Sequence, residues 1–265
     1  MLGENVKSHV EYSPVYRPTI EVFAKPEEVD MFAARMVIEQ IQKKPDSVLV
    51  LPTGLTPIGM YRLLVDAYKA GQVDFSKVTI LNLDEYWPID PNNPASYAQF
   101  MKQHFFDHVN VPASNRHIAN GKALDPHQEA ERYEALLKQF GPPDLAILGI
   151  GPGETCHIGF NERGSLVDSR VRYVTLDKET AQVNSQYFGK GEQIPEGALT
   201  QGVGNILEAK TVLLLAKGPG KAWGVQRSLE GPIGPDAPAS FVRLHKNTIL
   251  ALDHDAASLC ATLMI

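Results

Sequence analysis

Apolar positions recur along the chain with two different periods, which predicts alternating helices and strands. The segment VFAKPEEVDMFAARMVIEQIQKK has apolar residues at helical spacing after Pro26, a residue that suits the first position of a helix. A second helix is predicted to begin at Pro57, and two more cover residues 96–108 and 127–140. The apolar positions of the first two helices are Met31, Ala34, Val37, Ile38 and Ile41, then Ile58, Met60, Leu63 and Leu64.

Short, continuous apolar runs between the helical segments predict buried strands. The runs are SVLVL, VTILNLDEYW, DLAILGIG, VRYVTL, TVLLLAKG and NTILALD, and no strand is predicted before the first helix. Apolar strands separated by helices indicate a mostly parallel sheet with helices on both faces. No linker rich in proline, glycine or serine divides the chain, so residues 1–265 are predicted to form a single α/β domain.

Three of the predicted strands end in side chains that can carry chemistry. VLVL is followed by PTG, ILNL by DEY, and AILG runs into the glycine-rich stretch GIGPGETCHIGFNERGS, residues 149–165. In open α/β sheets, ligands bind at the carboxyl ends of the strands. The coincidence predicts one functional site at this edge of the sheet.

The turn LPTGLTP, residues 51–57, is a candidate anion site between a strand and a helix. Its free backbone N–H groups, the hydroxyls of Thr53 and Thr56, the intervening Gly54 and the helix dipole could together hold a phosphate. Lys221, in LAKGPGKAW, is a further candidate phosphate partner. The alternatives are an ordinary strand–helix turn with a threonine cap and a solvated surface lysine.

Two acids, Asp84 and Glu85, directly follow the second apolar strand. Loss of water at the end of a buried strand can raise the pKa of a carboxyl group toward that of a useful base. A carboxylate that caps the next turn explains an acid at this position equally well. The sequence leaves both interpretations open.

The glycine-rich stretch does not match the motifs of nucleotide-binding proteins. GIGPGE differs from GxGxxG because its third glycine comes one place early. The segment Gly218-Pro219-Gly220-Lys221 lacks the first glycine of a P-loop, and Ala222 stands where a hydroxyl would bind Mg²⁺. A metal site is not predicted either, because His157 and Glu162 have no second histidine at ligand spacing.

Acid–base chemistry is the interpretation of this stretch that survives. His157, Glu162 and Glu154 lie within nine residues, so one loop could fold them around a single substrate oxygen. A histidine that is hydrogen-bonded to a carboxylate can transfer protons near neutral pH. The alternative is a structural histidine beside surface acids.

Charge and composition exclude several classes of function. The net charge of −6 and the pI near 5.8 argue against non-specific nucleic-acid binding, which needs a basic surface. The N-terminal segment has no signal-peptide pattern, and no window has the apolar length of a membrane span. Cys156 and Cys260 lie far apart and form no CxxC motif, which favours a reduced, cytoplasmic setting.

Three motifs together, LPTGLTP, LNLDEY and GIG followed by HIGFNE, resemble those of the glucosamine-6-phosphate deaminase family, which is related to the 6-phosphogluconolactonases. The resemblance runs from about Val48 to Leu252, and HIGFNE is its most specific part. It implies a modified Rossmann-like α/β fold and a reaction without a cofactor. In that reaction, glucosamine 6-phosphate and water become fructose 6-phosphate and ammonia.

The resemblance also implies a role for each candidate residue. Asp84 would move a proton from C2 to C1 of the opened sugar through an enol. His157 would open the pyranose ring by exchanging a proton with the ring oxygen, and Glu162 would orient the imidazole. Thr53 to Thr56 and Lys221 would hold the 6-phosphate, whose remote binding energy can align the reacting carbons.

The chain departs from the family pattern at two places in this site. Where some deaminases carry an aspartate two positions before the histidine, this chain has Thr155, and Glu154 is expected to replace that carboxylate in ring opening. Where the family typically has an arginine after Asn-Ser, this chain has Gln186, which cannot form a charged bidentate contact. Lys217 or Arg163 could supply the missing charge.

Some family members are hexamers that N-acetylglucosamine 6-phosphate activates. The serine and lysine of that allosteric site are Leu166 and Val174 here, and Arg172 keeps a basic residue between them. The chain is therefore predicted to lack this activation. The sequence leaves open whether it forms a homo-oligomer.

The first choice of function is an amino-sugar phosphate deaminase that acts on a small-molecule sugar phosphate, with no nucleic-acid or membrane partner. The second choice is an enzyme for galactosamine 6-phosphate, or for a lactone hydrolysed by water that His157 activates. The third is a non-catalytic sugar-phosphate-binding protein. Retention of Asp84, His157 and Glu162 argues against this third choice, because binding alone needs no such base.

Overall fold

The computed structural model describes Tyr12, residues 14–151 and residues 153–263, apart from the side chain of Glu179. Two parts of the sequence discussed above lie outside the described residues. They are most of the N-terminal segment, for which no signal peptide is predicted, and Pro152 of the glycine-rich stretch. The strands are β1 (Thr19–Phe23), β2 (Val48–Leu51), β3 (Thr79–Asn82), β4 (Asp84–Trp87), β5 (Arg116–His117), β6 (Leu145–Gly149), β7 (Arg172–Thr175), β8 (Gly197–Thr200), β9 (Val212–Ala216) and β10 (Thr248–Asp253). The helices are α1 (Pro26–Lys43), α2 (Ile58–Lys69), α3 (Tyr97–Met101), α4 (Pro126–Phe140), α5 (Lys178–Asn184), α6 (Val203–Leu207), α7 (Ala222–Glu230) and α8 (His254–Ala257).

A seven-stranded parallel sheet in the order β1-β10-β9-β6-β2-β3-β5 forms the centre of the fold. Successive side chains of a strand point to opposite faces, so Val48 and Val50 of β2 enter one hydrophobic cluster while Leu49 and Leu51 enter the other. Helices α1, α2 and α3 cover one face, and α4, α6, α7 and α8 cover the other. The α/β fold with a mostly parallel sheet and helices on both faces is thereby confirmed.

A small antiparallel sheet, in the order β4-β8-β7, corrects two strand predictions. The run VTILNLDEYW is two strands, because the chain leaves the parallel sheet at Leu83 and enters the small sheet at Asp84. Leu83 connects the two sheets: its N–H donates to Leu51, and its carbonyl accepts from Gln201. VRYVTL also belongs to the small sheet, as β7.

The prediction that no strand precedes the first helix is wrong. Strand β1 pairs in parallel with β10 at one edge of the large sheet, and its residues are only partly buried. An edge strand lacks the continuous apolar run by which the central strands are recognised. No glycine-rich turn follows β1, since the chain continues directly to Pro26 at the start of α1.

The strand order brings the predicted chemistry together at one edge of the sheet. Strands β6, β2 and β3 are adjacent, and β9 lies on the other side of β6. Because all four strands are parallel, their carboxyl ends meet, as the sequence predicted for three of them. Among the described residues, no helix has both the length and the apolar character needed to cross a membrane.

Candidate active site

A cavity of about 590 Å³ lies at the carboxyl ends of these four strands. Most of the residues singled out from the sequence line it, and they come from the turns after β2, β3, β6 and β9. These lining residues are Thr53, Gly54, Thr56, Asp84, His157 and Lys221. The cavity therefore combines acid–base groups with hydroxyl and cationic groups.

Asp84 provides a buried carboxyl group in the cavity wall. It is the first residue of β4, and its backbone pairs with Thr200 of β8. Burial raises the pKa of Asp84 well above its ordinary value, and the neighbouring charge of Glu85 adds to the effect. A carboxylate with raised proton affinity is suited to remove a proton from carbon.

Glu85 has a different role, which its hydrogen bonds define. Its carboxylate accepts from the backbone N–H groups of Tyr97 and Ala98, each at 2.9 Å, at the start of α3. Burial raises the pKa of Glu85 to about 7, while these N–H groups act in the opposite direction. The two interpretations of the acid pair thus apply to different residues: Glu85 caps a helix, and Asp84 faces the cavity.

His157 is held against the backbone of the glycine-rich stretch. The N–H of Gly151 donates to the carbonyl of His157 at 2.8 Å. A β-carbon at Gly151 would lie 2.4 Å from the Cε1 atom of the imidazole, so only glycine permits this approach. Burial, together with the positive charge of Lys221, lowers the pKa of His157 to about 4. The imidazole is therefore neutral at neutral pH.

Glu162 lies beside Nδ1 of the imidazole and is not among the residues that line the cavity. Its Oε2 atom is 3.7 Å from Nδ1 of His157, which is within ion-pair range but longer than a hydrogen bond. Both side chains are largely buried. The histidine and the carboxylate are thus neighbours, as the sequence predicted, but Nδ1 and Oε2 do not form the hydrogen bond that was expected between them.

The loop that carries His157 turns through unusual backbone conformations. Gly153 and Gly159 have φ values of 60° and 57°, and the non-glycine residue Cys156 has a φ of 51°. The buried Cys156 Sγ lies 3.1 Å from the Ser228 hydroxyl of α7. A positive φ at a non-glycine residue is uncommon and is retained only where the surroundings hold it. Packing of Cys156 on α7 therefore helps to define where His157 lies.

Glu154 lies apart from the other residues that the sequence predicted for the site. Its side chain is 71% exposed and forms an ion pair with Arg163, whose Nη2 atom lies 3.5 Å from Oε2 of Glu154. Arg163 also donates to the Glu154 carbonyl at 2.7 Å. Neither side chain lines the cavity. The backbone turn at Cys156 separates Glu154 from His157, although only two residues intervene in the sequence.

The turn between β2 and α2 in the cavity wall has the features of an anion site. Thr53, Gly54 and Thr56 precede the first turn of α2, which contains no acidic residue. The Tyr61 hydroxyl donates to the carbonyl of Pro52 at 2.6 Å and so ties this turn to α2. Backbone N–H groups and the dipole at a helix N-terminus favour negative charge.

Lys221 supplies a positive charge beside this turn. Its Nζ atom donates to the carbonyl of Ile150 at 2.6 Å, and burial lowers the pKa of the ammonium group to about 8. Gly149 is the last residue of β6, directly before Ile150, and a β-carbon there would lie 4.0 Å from Thr56. The ammonium group, the threonine turn and the end of β6 therefore border the same space.

Several lining residues could not be recognised from the sequence. They come from α3 and the π-helical turn after it, and from the segment after β7, which the fold places over the cavity. These residues are Tyr97, Phe100, Gln103, His104, Val183, Asn184 and Tyr187. Gln186, noted as a departure from the family pattern, is also in the lining. Among the described residues, no group of three or more histidine, cysteine, aspartate or glutamate side chains could hold a metal ion.

The fold and this cavity define an α/β protein with an acid–base site next to an anion site, at the carboxyl ends of parallel strands. The chain belongs to the family described as glucosamine-6-phosphate isomerases/6-phosphogluconolactonase, whose model matches residues 26–251. The resemblance inferred from the motifs is thereby confirmed.

Curated relatives named glucosamine-6-phosphate deaminase are similar over most of the chain. The protein from Thermoanaerobacter sp. (strain X514) is 42% identical over 233 residues, which cover 88% of this chain and 91% of the relative. The protein from Clostridioides difficile (strain 630) is 44% identical over 226 residues, which cover 85% and 90%.

Solved structures support the same relationship. A monomeric glucosamine-6-phosphate deaminase has a TM-score of 0.88 and 41% identity, covering 91% of this chain and 99% of its own. The 6-phosphogluconolactonase from Trypanosoma brucei has a TM-score of 0.73 at 20% identity, covering 92% and 98%. At that identity, the second comparison shows a shared fold alone.

Proposed function

We propose that this protein is an enzyme that converts glucosamine 6-phosphate and water to fructose 6-phosphate and ammonia. The observation that carries the proposal is that Asp84 and His157 share one cavity with the Thr53–Thr56 turn and Lys221. A sugar phosphate can place its phosphate at the turn and its reacting carbons at the acid–base groups. The similarity to named deaminases over most of the chain supports the same substrate.

Ring opening is the first step that the site must assist. The bond between C1 and the ring oxygen breaks, the C1 hydroxyl loses its proton, and the ring oxygen gains one. With Nδ1 beside Glu162, the neutral imidazole can accept the hydroxyl proton at its other nitrogen, Nε2, and pass it on to the ring oxygen; burial keeps His157 in this neutral form before the step. Glu162, 3.7 Å from Nδ1, is the group that would orient the ring.

Proton transfer between adjacent carbons is the second step. Asp84 takes the proton from C2, the aldehyde oxygen at C1 is protonated, and an enol that bears the amino group at C2 forms. Return of the proton from Asp84 to C1 gives an iminium at C2. Loss of one N–H proton, which balances the proton taken up at the C1 oxygen, leaves an imine. Water then adds to C2 and ammonia departs, which gives the ketone. The raised pKa of Asp84 makes its carboxylate a stronger base for the first transfer.

Glu154 is left out of this proposal, because its side chain is exposed and paired with Arg163 outside the cavity lining. The geometry therefore argues against the part in ring opening that the sequence predicted for Glu154, and a variant at this position tests it. A single deaminase-like unit over residues 1–265 and a cytoplasmic setting belong to the same proposal. The two cysteines are buried and free, which is compatible with a reducing compartment.

A panel of substrates tests the proposed function. Purified protein is incubated with glucosamine 6-phosphate, galactosamine 6-phosphate or a 6-phosphosugar lactone, and ammonia, ketose phosphate and acid are measured. The proposal expects equal amounts of ammonia and fructose 6-phosphate from the gluco substrate. Turnover of only the galacto substrate would identify a galactosamine-6-phosphate deaminase, and turnover of only the lactone would identify a lactonase. Binding of sugar phosphate without any turnover would identify a binding protein.

Light scattering distinguishes a monomer from a homo-oligomer.

A further inference from the structure

A second lysine, Lys217, reaches the cavity from the end of β9. Its Nζ atom forms an ion pair with Oδ1 of Asp30 in α1, at 2.7 Å. The two side chains are only 16% and 11% exposed. The pair joins residues 187 positions apart, so no local sequence pattern could show it.

The carboxylate of Asp30 is fixed at the amino end of α2. The backbone of Met60 hydrogen-bonds to it, and a β-carbon at Gly59 would lie 2.0 Å from Oδ2. Glycine at position 59 therefore allows the carboxylate to approach the helix closely. By holding Nζ at 2.7 Å, Asp30 fixes the ammonium group of Lys217 beside the helix end that borders the Thr53–Thr56 turn.

Lys217 lines the same cavity as Gln186, the residue at the family's arginine position. Gln186, which stands at the arginine position, lines the cavity but carries no charge. Of the two cations that could compensate, Arg163 is paired with Glu154 outside the cavity lining, whereas Lys217 is part of that lining. The lysine and arginine side chains in the described lining are Lys217 and Lys221.

We propose that Lys217, held by Asp30, is the second cationic ligand of the substrate's phosphate monoester and replaces the arginine charge that Gln186 lacks. This inference rests on the proposed function for its substrate class. A phosphate dianion can accept hydrogen bonds from two ammonium groups at once, and hydrogen bonds to charged groups are the strong ones. Lys217, directly after β9, and Lys221, in the turn that follows, would bind it together.

The competing explanation is that Lys217 only neutralises Asp30. A buried ion pair often contributes little net stability, yet removal of one partner leaves an unpaired buried charge. On that explanation, loss of Lys217 lowers stability but leaves the affinity for phosphate unchanged. The two explanations therefore differ in a binding measurement.

Calorimetric titration with inorganic phosphate and with fructose 6-phosphate, together with thermal unfolding, separates them. The variants are Lys217→Met, the double variant Asp30→Asn/Lys217→Met, and the control Lys69→Met at the opposite, exposed end of α2. We expect Lys217→Met to weaken binding of both ligands by about 10- to 100-fold, the range for a hydrogen bond to a charged group. The control is expected to bind like the wild type.

The double variant keeps the test valid if the single variant is unstable. Neutral residues at both positions leave no unpaired charge, so thermal stability should recover while affinity for phosphate stays low. Wild-type affinity in either Lys217 variant would overturn the inference. Wild-type protein that binds phosphate but releases no ammonia would instead refute the proposed function, so the two failures are distinguishable.

Discussion

Replacement of Gly151 by alanine should damage catalysis through the position of His157. The added β-carbon would lie 2.4, 2.5 and 2.6 Å from three atoms of the imidazole. Since unstrained carbon contacts are about 3.5–4.0 Å long, the ring or its loop must move by about 1 Å. A misplacement of about 1 Å at a reacting group can cost about 10²-fold in rate. We therefore expect kcat to fall by about two orders of magnitude.

The assay is ammonia release from glucosamine 6-phosphate, measured together with thermal unfolding. Gly220→Ala is the matched control, because a β-carbon there meets no atom within 4 Å. Overpacking costs about 1–3 kcal/mol of stability, so the Gly151 variant should still be folded at 25 °C. A folded Gly151→Ala protein with kcat within a few-fold of the wild type would refute the assignment of His157 to ring opening.

Three further predictions concern Lys221, Glu154 and allosteric activation. Burial lowers the pKa of Lys221 to about 8, so its positive charge is lost above that pH. KM for the sugar phosphate should therefore rise above pH 8, and Lys221→Arg, which stays charged, should remove the rise. Glu154→Gln should keep turnover within a few-fold of wild type, because the side chain is exposed. A large loss of turnover would show that Glu154 takes part in catalysis. N-acetylglucosamine 6-phosphate should not increase the rate, because Leu166 and Val174 stand where the family's allosteric serine and lysine would be; an increase would disprove this.

The parts of the fold that local pattern determines could be predicted from the sequence. Strands with continuous apolar runs and the helix that begins at Pro26 appear where predicted. The expectation that three strand ends meet also holds, because parallel strands place their carboxyl ends together. These features depend on the periodicity of residues that are close in sequence.

Features that depend on distant partners could not be predicted in this way. The chain changes sheets at Leu83 because β4 pairs with β8, more than a hundred residues later, and the apolar run gives no sign of the break. In the site, Glu154 is near His157 in sequence, but the backbone turn at Cys156 directs it to solvent. The contact of Lys217 with Asp30 likewise exists only in the folded chain.

The most direct test of the central claim compares wild type with Asp84→Asn. Asparagine keeps the size of the side chain but removes the base, and general-base catalysis contributes about 10²–10⁴-fold. Ammonia and fructose 6-phosphate are measured together, and phosphate binding shows that the variant's site is intact. We predict equal amounts of both products from the wild type and at least about 10²-fold slower formation of both by the variant. Wild-type protein that forms neither product, or a variant that forms both at the wild-type rate, would contradict the account.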